Sequence, residues 1–261
     1  MEIFKKDQLI LKKFPSRRQM GETAAAEVSA VIKDLLKAKE CIRMIFAAAP
    51  SQNEFHEALA ADKTIDFSRI IAFQTDEFTG IPADAPQSCS NFLKKGLFGK
   101  CKFRETNCFN SLAADMEEEC KRYSDLINRA RVDIACIGIG ENTHIAFNDP
   151  GVADFYDPKT VKLIPLDLIT RYQQVNDGIF RHIDQVPATA ITLTVPCLFN
   201  STYIFCVVPL KNKEPAISLT LSADICEKYP ATILRRHERA ILYIDSDPGL
   251  RLGDVPGLTR I

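Results

Sequence analysis

The chain has 261 residues, 46% of them hydrophobic and 26% charged, enough to bury about 70–75% of its unfolded surface and hold a core without disulfide or metal staples. Its 33 basic residues nearly cancel its 34 acidic ones, leaving a net charge of −1. That balance excludes disorder as the resting state and removes the basic field that nucleic acid or an anionic membrane would need.

No apolar run reaches the ~20 residues of a membrane helix. The segment MEIFKKDQLILKKF carries charge on both sides of a very short apolar stretch, which argues against a signal peptide. Nine cysteines, including Cys41, Cys136, Cys197 and Cys206, lie scattered with no C-x-x-C pair. They read as reduced, mostly buried thiols of a cytoplasmic protein, not as a zinc site.

From the N-terminus onward, Glu22 to Lys39 places Ala24, Ala25, Val28, Val31, Ile32, Leu35 and Leu36 at helical spacing, which predicts an amphipathic helix. Cys41–Ala49 (CIRMIFAAA) reads as a buried strand. Pro50 turns the chain, and Ser51 with Glu54 three residues on makes a capping box for a helix through Ala61. Arg69–Thr75 is the next strand, Asp76–Ser88 a Pro/Gly/Asp-rich loop, and Ser90–Phe98 a helix. Met116, Cys120, Tyr123 and Ile127 mark a further helix, which leads into the strongly apolar strand Val132–Gly138. Strands are also predicted at Thr189–Val195, Tyr203–Val208 and Ala240–Ile244, with helices starting near Lys211 and near Pro230.

Continuous apolar strands separated by helices predict an α/β fold: one domain over residues 1–261, Rossmann-like, with a mainly parallel sheet covered by helices on both faces. Ligands of such sheets bind beyond the carboxyl ends of the strands. The segments to inspect are therefore the loops after Ala49, Thr75, Gly138 and Val208.

Three of these loops are chemically loaded. Thr75-Asp76-Glu77-Phe78-Thr79-Gly80 puts two adjacent carboxylates at a strand end, although Asp and Gly are ordinary turn residues. Gly138-Ile139-Gly140 opens a second loop, but Thr143 stands where a dinucleotide fingerprint needs its third glycine, so a Rossmann nucleotide site is set aside. What remains there is His144, with Asn142 two residues before it and Asp149 five after. The third loop carries Lys211 and Lys213 at the start of a helix, where a lysine is either solvated or joins backbone amides around an anion. His56, His182 and His237 read as structural, His56 the least securely because it follows the Ala49–Glu54 turn.

The segments TDEFTGIP, GIGENTHIAFNDP and DQVPATAITLTVP with VVPLKNK resemble, in order, the glucosamine-6-phosphate deaminase/galactosamine-6-phosphate isomerase family, to which 6-phosphogluconolactonases are related. The resemblance runs from about Glu22 to Asp245. It implies isomerisation of a 2-amino sugar phosphate followed by loss of ammonia, with no metal or organic cofactor. By position, Asp76 matches the base that moves a proton between C2 and C1, and His144 the ring-opening histidine. Asp149 matches the histidine's carboxylate partner, and Lys213 a phosphate-binding lysine. Glu77 is then a neighbour that supports the loop, and Ser51, Gln52 and Asn53 with Lys213 are the expected phosphate site.

Two positions depart from the family pattern: Asn142 stands where an Asp is usual, and Ala49-Pro50-Ser51-Gln52-Asn53-Glu54 replaces a Gly-Gly-Thr/Ser-Pro loop. A 6-phosphogluconolactonase-type hydrolase and a catalytically silent sugar-phosphate binder are therefore kept as alternatives. The expected partner is a small-molecule sugar phosphate, with no nucleic acid and no membrane; a homo-oligomer is left open.

Overall fold

A computed structural model describes residues 1–246 and 250–261. In chain order, the strands are β1 (Glu2–Lys6), β2 (Leu9–Lys13), β3 (Ile42–Phe46), β4 (Ile70–Gln74), β5 (Asp76–Phe78) and β6 (Glu105–Asn107). They continue as β7 (Ile134–Ile137), β8 (Val161–Pro165), β9 (Thr189–Leu193), β10 (Tyr203–Val208), β11 (Ala240–Ile244) and β12 (Thr259–Arg260). The helices are α1 (Arg17–Ala38), α2 (Asn53–Ala61), α3 (Cys89–Leu93), α4 (Met116–Ile127), α5 (Leu168–Asn176), α6 (Val195–Phe199) and α7 (Glu214–Ser222).

Nine strands form one sheet in the order β12-β1-β2-β11-β10-β7-β3-β4-β6. Pairing is parallel from β2 through β6, and antiparallel where β1 meets β2 and β12. Both faces are buried because successive side chains serve opposite cores. In β7, Ala135 and Ile137 join one core while Ile134 and Cys136 join the other. In β10, Ile204, Cys206 and Val208 face one side and Phe205 and Val207 the other. Such strands read as unbroken apolar runs, and each large side chain removed from water contributes about 1.5–3 kcal/mol.

Helices α1 and α2 pack on the face of Phe46 and Phe205, with Val28, Ile32, Phe55 and Leu59 in that core. On the other face α4, α6 and α7 contribute Tyr123, Leu198 and Ile217. The chain leaves β3 toward β4 and leaves β7 toward β10. Between β3 and β7 the connections thus diverge, and a crevice opens at their carboxyl ends.

Several sequence-based expectations are corrected here. Thr189–Val195 forms β9 not in the main sheet but in a separate sheet of order β5-β9-β8, paired antiparallel on both sides. The start of the Asp76–Ser88 loop is the strand β5, registered against Ala190–Thr192. The hairpin β1–β2 was hidden because charged residues interrupt it. Ser51 does not cap α2; Gln52 precedes the helix without a side-chain cap bond, and Glu54 instead pairs with Arg17 at 2.7 Å. The segment starting at Pro230 is a run of tight 3-10 turns, Pro230–Arg236.

Candidate active site

The crevice between β3 and β7 is a cleft of about 550 Å³ including its open mouth, and all four inspected loops reach it. Ala47–Ala49, Ser51 and Gln52 come from the turn after β3, Asp76 from β5, Gly138–Gly140 and His144 from the loop after β7, and Lys213 from the turn after β10. Helix α3 adds Cys89, and α5 with its cap adds Gln173, Gln174 and Asp177.

Asp76 and Glu77 are neighbours on an extended strand, so their side chains point opposite ways. Asp76 lines the cleft. Glu77 is fully buried behind it and accepts hydrogen bonds from the backbone N–H groups of Phe78, Cys89 and Ser90, from the hydroxyls of Ser88 and Ser90, and from Gln74 Nε2, all at 2.9–3.1 Å. One carboxylate thereby ties β5 to the first turn of α3, where free amides favour negative charge. Cys89, held by that clamp, directs its thiol at Asp76 Oδ1, 3.7 Å away. Burial pushes the Asp76 carboxyl up to about 7, and the adjacent Glu77 charge adds to the rise while His144 and the Cys89 thiol oppose it.

The loop after β7 folds back so that Gly140 N–H donates to His144 O at 2.9 Å. A Cβ on Gly140 would lie 2.1 Å from the His144 ring, so only glycine lets the imidazole lie against this turn. Thr143 takes a left-handed φ of 71° within it, an uncommon conformation for a β-branched residue. His144 Nδ1 lies 2.7 Å from Asn142 Oδ1, 3.0 Å from Thr170 Oγ1 and 3.1 Å from Asp149 Oδ1. With an amide oxygen and a carboxylate as its neighbours, Nδ1 carries the proton and Nε2 is left as the available ring nitrogen.

Asn142 uses both ends of its amide: Oδ1 accepts from His144, while Nδ2 donates to Asp149 Oδ1 at 3.1 Å and to Asp167 Oδ2 at 3.0 Å. Asp149 is fully buried. Burial alone would raise its pKa, but the hydrogen bonds from His144, Thr170 and Asn142 and the His144 charge hold it below the ordinary carboxylate range.

Not every expected residue lines the cleft. Asn53 is exposed and does not line it, because it begins α2 with its side chain outward. Lys211 is likewise exposed, whereas Lys213 is buried. Among the described residues, no group of three or more His, Cys, Asp or Glu side chains is arranged to hold a metal ion.

Helix α5 was missed in the sequence. Its inner stripe is polar: Thr170, Gln173, Gln174 and Asp177 recur at helical spacing, while Leu168, Ile169 and Tyr172 face solvent. A search for apolar periodicity passes over such a helix. The D-x-x-T start was the available signal, since Asp167 caps the helix by accepting from Thr170 N–H at 2.7 Å.

The chain belongs to the glucosamine-6-phosphate isomerases/6-phosphogluconolactonase family, whose profile matches residues 15–243. It is 34% identical over 206 residues to the glucosamine-6-phosphate deaminase of Streptococcus agalactiae serotype III (strain NEM316), covering 79% of this chain and 86% of that protein. It is 30% identical over 217 residues to the glucosamine-6-phosphate deaminase of Bacillus cereus (strain B4264), covering 83% and 80%. A solved structure of a monomeric glucosamine-6-phosphate deaminase superposes with a TM-score of 0.84 at 26% identity, over 92% of this chain and 99% of that one. A 6-phosphogluconolactonase from Thermotoga maritima shares the fold, with a TM-score of 0.74 at 20% identity over 91% and 100%. No helix among the described residues is long and apolar enough to cross a membrane.

Proposed function

We propose that this chain is an amino-sugar-phosphate isomerase-deaminase that converts glucosamine 6-phosphate or galactosamine 6-phosphate to a ketose 6-phosphate and ammonia. One observation carries the reading: a buried carboxylate, Asp76, shares a cleft with an imidazole backed by Asn142, Asp149 and Thr170. The family and the names of the relatives support it.

In this reading His144 Nε2 takes the anomeric hydroxyl proton and returns a proton to the ring oxygen, opening the sugar. Ionised Asp76 then removes the proton on C2, the electron pair forms a C1–C2 double bond, and the aldehyde oxygen takes a proton from the 2-ammonium group and becomes a hydroxyl. Protonation at C1 leaves an iminium at C2; water adds there, ammonia departs and the ketone remains. Asp149 and Asn142 fix the imidazole, Glu77 fixes the strand that carries Asp76, and Ser51, Gln52 and Lys213 meet the end of the sugar away from C1. Moving a carbon-bound proton needs a dedicated base, and lactone hydrolysis has no such step. The nine cysteines, all free, suit a reducing cytoplasm.

The test is release of ammonium and ketose from the amino-sugar 6-phosphates, set beside hydrolysis of 6-phosphogluconolactone. Equimolar ammonium and ketose are expected, and Asp76→Asn should lower kcat by roughly 10²–10⁴-fold with KM little changed. Lactone hydrolysis without ammonium release would replace this reading with the hydrolase.

A further inference from the structure

Asn142 meets His144 through an amide, which has one accepting end and one donating end, where a carboxylate would present acceptors on both oxygens. Every valence of this amide is used. Its oxygen receives the His144 backbone N–H at 3.1 Å and faces Nδ1 at 2.7 Å. Its nitrogen donates to Asp149 Oδ1 at 3.1 Å and to Asp167 Oδ2 at 3.0 Å. The contact with Nδ1 is shorter than those from Thr170 Oγ1 at 3.0 Å and Asp149 Oδ1 at 3.1 Å, so the end of the amide that faces the ring sets the tautomer. Turned over, the amide would aim its NH2 group at Nδ1 and favour the ring proton on Nε2, leaving no lone pair there for a sugar hydroxyl.

Two carboxylates hold the donating end, and they are not equivalent. Asp149 Oδ1 is shared, because Thr170 Oγ1 also donates to it and His144 Nδ1 lies beside it. Asp167 Oδ2 serves Asn142 alone among the described residues. Asp167 is itself fixed: its Oδ1 caps α5 by accepting from Thr170 N–H at 2.7 Å, and its backbone N–H donates to Asp149 Oδ2 at 3.4 Å. It does not line the cleft, so it reaches the imidazole only through Asn142. The cap and the amide use different oxygens of one carboxylate, which lets the two roles be separated. Asn caps a helix about as well as Asp, but with its oxygen on Thr170 it would turn an NH2 group toward the NH2 of Asn142.

We propose that Asp167 is a positioning residue for ring opening: it locks the Asn142 amide with its oxygen toward His144, which keeps the ring proton on Nδ1 and leaves Nε2 free as the base. The inference rests on the isomerase-deaminase reading and adds to it a residue outside the cleft.

The experiment sets Asp167→Asn beside wild type and reads the His144 ring by nitrogen NMR at a pH where the imidazole is neutral, with His144→Gln to identify its signals. Wild type should carry the proton on Nδ1; the variant should shift it toward Nε2 with its melting temperature little changed. Its kcat for ammonium release from glucosamine 6-phosphate should fall by roughly tenfold or more with KM little changed, since a correctly poised acid–base group contributes about 10²–10⁴-fold. The double exchange Asn142→Asp with Asp167→Asn again sets a donor at 167 against an acceptor at 142. It should return the proton to Nδ1 and recover most of the lost kcat. An unchanged tautomer in Asp167→Asn, a smaller fall in kcat, or no recovery in the double exchange overturns the proposal. If Asp167→Asn does not fold, the double exchange decides: a folded protein with the proton on Nδ1 supports the coupling of the two positions, and any other result overturns it. If wild type releases no ammonium, the functional reading fails, and the tautomer comparison still decides whether Asp167 sets the ring.

Discussion

Asp76 accepts a proton only when it is ionised, and its pKa is raised to about 7. The kcat/KM profile is therefore expected to fall on the acid side with a limb near pH 7, measured with the pH-dependent stability of the substrate controlled. The same shift acts on folding. An Asp titrating near 7 when folded and near 3.8 when unfolded stabilises the fold below about pH 4, and that stability is lost as pH rises through 7. Asp76→Asn should thus be more stable than wild type by roughly 1–4 kcal/mol at pH 8, with the difference fading at pH 4, as denaturant titrations at the two pH values would show. Equal stability at both would mean the carboxylate is not desolvated as described. Asn142 makes the opposite case. Its amide separates Asp149 from Asp167, so Asn142→Asp would place a third carboxylate where two hydrogen bonds were donated. A loss of about 1–3 kcal/mol at neutral pH is expected, regained in part as the pH is lowered. His144, Asn142 and Asp149 stood out together on one polar loop, and their pairing was what the family resemblance implied. Asp167 and Thr170 were not legible, because they arrive from a helix 25 residues on, and nothing local announces that approach.

At the scale of elements, the short segments carry much of the site's architecture. Glu77 receives six hydrogen bonds from β5, α3 and Gln74. Glu77→Gln should cost several donors their acceptor, destabilise the fold by roughly 2–4 kcal/mol and lower kcat by loosening Asp76; unchanged melting would show that the clamp is dispensable. On α2, His56 is fully buried among Phe46, Phe55 and Phe92, and both ring nitrogens lack a partner. Burial, with a smaller contribution from Lys100, pushes its pKa down to about 3 from 6.5. The sign follows: stability is full above pH 6.5 and is lost as pH falls toward 3, because the unfolded chain binds the proton first. His56→Leu should flatten the stability–pH slope in that window, read from urea midpoints at several pH values. The central parallel strands β3, β4, β7, β10 and β11 were legible because apolar runs of four to six residues need two buried faces. By contrast β5, β6 and β8 were hidden. The first two are only three residues each, and β5 begins with two carboxylates that look like a turn until β9 is seen to pair with it.

Across the whole molecule, divergence of the connections at β3 and β7 gathers loops separated by more than 160 residues into one cleft. The alternation of strands and helices made that gathering legible, since parallel strands bring their carboxyl ends to one edge. It did not reveal the second sheet, because a strand's partner is set by tertiary pairing that β9's own apolar run does not encode. In the proposed reaction a proton leaves C2 of an amino sugar for Asp76. That transfer is tested most directly by following glucosamine 6-phosphate deuterated at C2 by NMR. Ammonium and ketose in equal amounts are expected, with deuterium gone from C2, and no such change with Asp76→Asn. Consumption of the sugar with the C2–deuterium bond intact, or full activity of the Asn variant, would contradict it.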